Sequence, residues 1–165
     1  MKQKGFTLIE LVVVIIILGI LAVTALPKFV NLQGEARAST LQGMKAALEG
    51  AATLTYSKAA IQGKDAGDQV VDLSATTTVA TVNGYPEATT AALQAVLETT
   101  FGDDTDINAQ DWWAEIETAT APATADSVVI RPKGYAAATG DCSVTYTESA
   151  AAGSRPVIVV AADDC

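Results

Sequence analysis

An apolar run from Phe6 to Leu26 that contains one acid, Glu10, constrains this chain more than any other feature. At about 1.5 Å per helical residue the run is roughly 30 Å long, which matches the hydrocarbon core of a bilayer. A carboxylate inside a membrane helix is unfavourable, so Glu10 needs a partner or a function. Lys2 and Lys4 precede the run and orient its N-terminus towards the cytoplasm by the positive-inside rule. The sequence therefore predicts a membrane helix whose acid has a role.

The helical pattern continues beyond the apolar run. Apolar residues recur at i, i+3, i+7 and i+11, namely Leu41, Met44, Leu48 and Ala52. We therefore predict one long helix from Phe6 to about Lys58, apolar all round in its first half and with one core-facing stripe in its second. Pro27 removes a backbone donor and predicts a kink. The alternative is a secretory signal peptide cut after Ala25, but its apolar region would exceed the usual ~7–15 residues and would contain an acid.

Composition excludes several classes of function. The 165 residues carry a net charge of -9 and no histidine. Nucleic-acid binding needs clustered basic side chains, and no basic cluster follows Lys2 and Lys4. The sequence lacks histidine, the commonest general base, and it also contains no nucleophile motif and no glycine-rich phosphate loop. We therefore predict neither an enzyme nor a cofactor site. Cys142 and Cys165 lie beyond the membrane segment, which favours a disulfide in an oxidising compartment over two unpaired thiols.

The N-terminal segment Gly5-Phe6-Thr7-Leu8-Ile9-Glu10, after a short basic leader, resembles the processing signature of the type IV pilins. The resemblance implies cleavage between Gly5 and Phe6 by a prepilin peptidase and N-methylation of Phe6. It also implies that Glu10 acts in filament assembly and that Pro27 is the kink residue of the helix. The chain would then divide into a leader (1–5, removed), a hydrophobic transmembrane and filament-core helix (6–27) and a globular pilin domain (28–165).

The proposed cleavage supplies Glu10 with a partner. Cutting after Gly5 creates a positive α-amine on Phe6, on the same subunit or on a neighbouring one. In a low-dielectric setting such a pair is favourable only when both charges meet. Our hypothesis is that Glu10 sets the axial register between subunits.

The middle of the chain is less regular. We expect a polar turn at 63–68 and a short extended piece within Val70–Val82. Asn83-Gly84-Tyr85-Pro86 is a turn signal in which Pro86 opens a helix from about Glu87 to Phe101, with Gly102 as its C-cap. The same four residues resemble pilins of the mannose-sensitive haemagglutinin group.

An acidic stretch resembles a calcium loop, since acceptors stand at positions 1, 3, 5 and 12 of the EF-hand spacing: Asp104, Asp106, Asn108 and Glu115. Ala109 stands where the sharp turn needs glycine, and Asp111 stands where an apolar residue is usual. The alternative, an acidic turn capping a helical turn that carries the packing anchors Trp112 and Trp113, is favoured. We therefore predict no metal site.

Three strands are predicted near the C-terminus: Ser127–Arg131, Cys142–Thr147 and Pro156–Ala161. The last is continuously apolar, which is typical of a strand buried on both faces. A hairpin centred on the turn Ser149–Arg155 would bring position 142 opposite position 165 and so join the two cysteines; a C-terminal disulfide loop is also what the pilin resemblance implies. The predicted fold class is α+β, the type IV pilin fold: a long kinked N-terminal helix packed on a small antiparallel β-sheet, with a C-terminal disulfide loop.

The resemblance favours a structural subunit of a type IV pilus filament, used for surface attachment or adhesion. Its partners would be further copies of itself, the prepilin peptidase, the pilus assembly machinery and, before assembly, the bacterial inner membrane. Assembled, the subunit would be extracellular. The alternative is a pseudopilin of a type II secretion system, which shares the N-terminal signature but commonly lacks the C-terminal cysteine pair.

Overall fold

A computed structural model describes residues 6–102, 110–117, 125–135, 141–163 and 165, with only the backbone described at 26–31. The chain divides into two compact units, Met1–Ala36 and Arg37–Cys165. The predicted boundaries after residues 5 and 27 concern processing and burial in a filament, and they stay predictions.

The long helix is confirmed as α1 (Leu8–Gln62). From Leu8 to Val23 its apolar side chains are exposed. Beyond Arg37 one face is buried, with the fully covered residues Leu41, Leu48, Ala52 and Ala59 at helical spacing, as the sequence predicted. The helix ends at Gly63, whose φ of 67° is the left-handed conformation that closes a Schellman motif. Lys64 N–H donates to Ala59 O at 2.8 Å and Gly63 N–H to Ala60 O at 3.2 Å.

Three short strands follow and form an antiparallel sheet in the order β1-β2-β3: β1 (Asp68–Asp72), β2 (Thr78–Val82) and β3 (Tyr85–Pro86). The segment that was predicted to hold one extended piece therefore holds a hairpin. Asn83 and Gly84 connect β2 to β3 with φ values of 52° and 81°, as a tight primed turn requires. A Cβ on Gly84 would lie 3.0 Å from the Tyr56 ring and 3.1 Å from Asp65 Cα, so this position needs glycine for space as well as for conformation.

The predicted helix Glu87–Phe101 is correct in type but wrong at both ends. The structure has α2 (Thr90–Leu97). Its N-cap is Thr89, whose hydroxyl accepts a hydrogen bond from Ala92 N–H. Pro86 belongs to β3 instead of opening the helix, because its carbonyl accepts a buried hydrogen bond from Tyr146. The helix ends at Glu98, which adopts the left-handed conformation with φ of 51°. Gly102 is not its C-cap, because Gly102 forms a parallel bridge with Trp113.

The second sheet has four antiparallel strands in sequence order: β4 (Trp112–Glu117), β5 (Ser127–Pro132), β6 (Ser143–Thr147) and β7 (Val157–Ala161). Its inner face packs against α1 in one hydrophobic cluster that includes Leu41, Leu48, Ile130, Val144 and Tyr146. The three predicted strands correspond to β5, β6 and β7. The fold class is therefore confirmed, with a long N-terminal helix, antiparallel sheets and a C-terminal disulfide.

Two details of the second sheet differ from expectation. Trp112 and Trp113 begin a strand and do not lie on a helical turn, because Gly102 and β5 provide hydrogen-bond partners on either side of them. β7 is an edge strand and is not buried on both faces, since Val157 and Val159 are more than half exposed.

Candidate functional site

The first candidate site is the start of α1. The stretch Leu8–Ala25 has a mean hydropathy of 3.0, none of it is buried, and it is long and apolar enough to cross a membrane. Apolar side chains point outward all round the helix. An isolated chain cannot cover such a surface, so this segment requires lipid or other protein around it.

Glu10 lies in the first turn of this helix and forms a reciprocal capping box with Thr7. The Thr7 backbone N–H and hydroxyl each donate to Glu10 Oε2 at 2.8 Å. In return the Glu10 backbone N–H donates to Thr7 Oγ1 at 3.3 Å. Two of the backbone donors that a helix start leaves without partners are thus satisfied by side chains. The acid that seemed unpartnered in the sequence therefore has a partner three residues before it.

Sequence reasoning missed Thr7. A threonine followed three residues later by glutamate, directly before an apolar run, is the sequence signature of a capping box. Thr7-Leu8-Ile9-Glu10 matches that signature. The same residues belong to the processing motif, so the processing signature hides the capping box in the sequence.

The capping box leaves one carboxylate oxygen available. Both bonds from Thr7 reach Oε2, and among the described residues Glu10 Oε1 accepts none. Phe6 precedes the cap, lies outside the helix and is 85% exposed. Gly5, the other residue of the predicted cleavage site, lies outside the described residues. The backbone of α1 continues through Pro27. Only the backbone is described at this position, and the predicted kink stays a prediction.

The second candidate site is the C-terminal disulfide, which joins Cys142 and Cys165 with their Cα atoms 4.9 Å apart. The Cys142 side chain is completely buried in the main core. The pairing was predicted, but the register behind it was wrong. β6 and β7 pair with Ser143 opposite Ala161. Extending this register by one residue brings Ala162, and not Cys165, opposite Cys142. Cys165 lies beyond the end of β7, and the chain turns back there to form the disulfide.

A cluster of side chains holds the same segment to α1. Arg37 donates to Tyr135 Oη at 2.9 Å and to Cys165 O at 3.1 Å. Tyr135 Oη–H also donates to Cys165 O at 2.6 Å, and the Arg37 guanidinium lies 5.1 Å from the centre of the Tyr135 ring. Trp113 Nε1–H in turn donates to Tyr135 O at 2.6 Å. No local sequence signal could have found this cluster, because Arg37 is separated from its two partners by 98 and 128 residues.

The calcium-like stretch falls mostly outside the described residues, including Asp104, Asp106 and Asn108. Glu115 is described, and its carboxylate accepts a hydrogen bond from Arg131 at 3.2 Å. The same guanidinium lies 5.1 Å from the Trp113 ring centre. In the described part of the chain, no group of three or more acidic or cysteine side chains could hold a metal ion.

The end of β6 carries hydrogen bonds to both sheets. Tyr146 Oη–H donates to Pro86 O at 2.7 Å. The Glu148 carboxylate accepts from Ala88 N–H at 2.9 Å and from Asp126 N–H at 3.3 Å. Burial raises the pKa of the Tyr146 phenol well above its ordinary value of 10.0, and the negative charge of Glu148 raises it further.

Comparison with known proteins agrees with these features. Residues 1–26 match the model of the prokaryotic N-terminal methylation motif. The type IV narrow pilus major component PilA5 of Thermus thermophilus is 44% identical over 64 residues, covering 39% of this chain and 52% of that protein. Fimbrial protein Q of Moraxella bovis is 44% identical over 78 residues, covering 46% and 50% respectively. Fimbrial protein EcpC of Eikenella corrodens is 40% identical over 82 residues, covering 50% and 49%.

The chain spans about half the length of the curated relatives it matches. No solved structure matches it. The mannose-sensitive haemagglutinin subgroup stays a prediction. The methylation motif and the three pilus and fimbrial relatives make the chain similar to the type IV pilins, and its long N-terminal helix, antiparallel sheets and C-terminal disulfide are consistent with the fold of that family.

Proposed function

We propose that this chain is a structural subunit of a type IV pilus filament, assembled from the bacterial inner membrane into a helical polymer of copies of itself. The observation that carries the proposal is the stretch Leu8–Ala25, which is apolar on every side and has no part buried within its own chain. A membrane can cover this surface before assembly, and the helices of neighbouring subunits can cover it afterwards. Transfer between two apolar surroundings exchanges one favourable burial for another, which permits assembly without exposing the helix to water.

Processing by a prepilin peptidase would precede assembly. Cleavage after Gly5 removes Lys2 and Lys4 and leaves Phe6 as the new N-terminus, which is then N-methylated. Phe6 is well placed for both reactions because it lies outside the helix, before the capping Thr7, and is highly exposed. A cut at this point leaves every bond of the capping box intact.

Glu10 would then act in assembly through the oxygen that the capping box leaves open. Its Oε2 is occupied by Thr7, and its Oε1 can accept from the α-amine on Phe6 of a neighbouring subunit. A charge pair formed in an apolar filament core would favour one axial offset between subunits, because any other offset leaves both charges unpaired.

Two substitutions at Glu10 separate its charge from its capping role. Glu10→Gln keeps a side-chain oxygen for the two Thr7 donors but has no charge, whereas Glu10→Ala loses both. If pairing with the amine sets the register, both variants should insert in the membrane normally and yield few or no filaments by electron microscopy. Normal filaments from Glu10→Gln would refute the charge pairing and leave Glu10 with a capping role only.

The filament itself is tested by deleting the chain and imaging the cells. Long surface fibres should be present with the chain and absent without it, and the intact mass of the fibre subunit should show loss of residues 1–5, one added methyl group and one disulfide. Short structures confined to the cell envelope would instead favour a pseudopilin of a type II secretion system. The Cys142–Cys165 disulfide supports the pilus over that alternative. A role in surface attachment would follow from an exposed filament, and a loss of attachment on deletion tests it.

A further inference from the structure

The globular unit contains an open groove between α1, the turn that joins β1 to β2, and α2, with a volume of about 360 Å³. Its walls are largely apolar and are formed by Leu54 and Ile61 of α1, Leu73 of the turn, and Ala95 and Val96 of α2. The last three also pack against the smaller hydrophobic cluster of the protein. Binding sites for small molecules are typically concave, largely apolar and about 300–1,000 Å³ in volume, so this groove has the size and the lining of such a site.

The outer wall of the groove is exposed to solvent. Leu54 is 70% exposed and Ile61 is 84% exposed, and their spacing of seven residues places them on the same side of α1. A single exposed apolar side chain is ordinary. Two large ones on the wall of a concave apolar site leave apolar surface that a ligand can bury.

One end of the groove carries hydrogen-bond donors. Lys58 lines the groove and is exposed, and within the described ranges its ammonium group has no ion pair. The Ser74 hydroxyl accepts hydrogen bonds from Thr76 N–H at 3.3 Å and Thr77 N–H at 3.1 Å. Its own proton therefore remains available to a ligand, as does the proton of the Thr77 hydroxyl, and both residues line the groove.

The acidic side chain of the groove lies at the other end. Ala92, near the start of α2, packs in one cluster with Ala59 of α1. Leu97, at the end of α2, lies beside Gly43, much earlier in α1. The two helices therefore run in opposite directions along the groove, and Glu98, which follows Leu97, lies away from the end that carries the donors. The apolar walls lie between the basic end and the acidic end.

We propose that this groove binds a single-chain aliphatic carboxylate. The alkyl chain lies between the apolar walls, and the carboxylate accepts hydrogen bonds from Lys58, Ser74 and Thr77. One ammonium group complements one negative charge, whereas a phosphate group, with up to two charges, would leave charge uncompensated. The ammonium and the two hydroxyls provide donors for both carboxylate oxygens. The volume suits one alkyl chain of medium length, and it does not suit the two chains of a membrane lipid.

Methyl NMR of the full chain in lipid nanodiscs, titrated with octanoate, tests the proposal at the level of single residues. The methyl groups of Leu54, Ile61, Leu73 and Val96 should shift and reach saturation, while those of Val159, on the exposed face of β7, should not shift. Octylammonium has the same chain with the opposite charge and should bind at least about fivefold more weakly. The absence of a saturable shift, or equal affinity for the two probes, would overturn the proposal.

Two variants with matched controls test the wall and the polar end separately. Leu54→Asp places a negative charge on the wall and should abolish the saturable shifts, and its high exposure means that the fold tolerates it. Val159→Asp makes the same change at a comparably exposed valine outside the groove and should leave binding unchanged. Lys58→Gln should raise the Kd for octanoate by about two- to fivefold. Lys133→Gln, which removes the charge of an exposed lysine elsewhere, should not.

The same titrations distinguish the other possible occupants. Octanoate binding that Leu54→Asp leaves unaltered would place the ligand in the lipid or elsewhere on the protein and would contradict the proposal. Shifts of the groove methyl groups that grow with protein concentration in the absence of octanoate would mean that a second copy fills the groove, which would also contradict it.

Discussion

Replacing Tyr146 with phenylalanine should weaken the fold at neutral pH and strengthen it at alkaline pH. The Tyr146 ring is completely buried in the main core, and its hydroxyl donates to Pro86 O at 2.7 Å. Tyr146→Phe keeps the ring in the core and removes only the hydroxyl. The Pro86 carbonyl is then left buried without its donor.

At pH 7 the lost hydrogen bond decides the outcome. Removing one partner of a buried pair costs about 1–3 kcal/mol, because the remaining group cannot return to water. Pro86 is among the fully buried side chains of the protein, so water cannot replace the hydroxyl readily. We expect the free energy of unfolding to fall by about 1.5 kcal/mol.

Above pH 10 the ionisation of the phenol decides instead. In the unfolded chain Tyr146 titrates near its ordinary pKa of 10.0, whereas burial keeps it protonated in the folded state to much higher pH. The stabilisation is therefore complete below pH 10 and declines above it, since the unfolded state loses its proton first. The free energy of unfolding of the unaltered protein should fall by about 1.4 kcal/mol per pH unit from this group. Tyr146→Phe lacks that proton, so the two stability curves should cross at about pH 11.

Urea unfolding followed by tryptophan fluorescence provides the measurement, because both tryptophans lie in β4 and report on the sheet. The other three of the four tyrosines are present in both proteins, so the comparison isolates the change at Tyr146. Tyr56→Phe is the control, since its hydroxyl has no hydrogen bond within the described residues, and it should change stability little at pH 7. A stability difference between Tyr146→Phe and the unaltered protein that stays constant from pH 9 to pH 11.5 would show that this reasoning is wrong.

Three further predictions concern the packing of the globular unit, each measured by urea unfolding. Leu48→Ala removes a side chain that is 1% exposed and should lower the free energy of unfolding by about 2–5 kcal/mol. Leu54→Ala, at 70% exposure on the same helix, should lower it by less than about 0.5 kcal/mol. Equal effects of the two substitutions would contradict the assigned helix face. Replacing both Cys142 and Cys165 with alanine should cost about 3 kcal/mol, because the disulfide closes a loop between two residues that are 23 positions apart; a change below about 1 kcal/mol would contradict that origin. Gly84→Ala should cost more than about 1 kcal/mol, because φ is 81° and the new Cβ would meet Tyr56; an unchanged stability would refute the close contact.

The features predicted correctly are those that sequence periodicity encodes. Apolar residues at helical spacing predicted α1 to within a few residues of both ends, and alternation at 142–147 predicted β6. These patterns are local because one buried face imposes its own period on the sequence. The fold class and the disulfide followed from the same reasoning combined with the resemblance to pilins.

The errors occurred where tertiary partners decide the structure. Pro86 is a good first residue for a helix, but the hydroxyl of Tyr146, distant in sequence, holds it in a strand. Val157–Ala161 reads as a buried strand because nothing in its composition shows that it lies at the edge of the sheet. The Arg37 and Tyr135 contacts with Cys165 likewise depend on residues that only folding brings together.

The hydrogen bonds at the end of β6 have a consequence for how the globular unit opens. Tyr146 and Glu148 bind backbone groups of Pro86 and Ala88 in the smaller sheet region, while the same stretch belongs to the larger sheet. Loosening this stretch would therefore release both sheets at once, so the two are expected to behave as a single cooperative foldon. Backbone amides of β2 and of β5 should then exchange with solvent deuterium through a shared opening event, with the same free energy, although their strands never pair with each other.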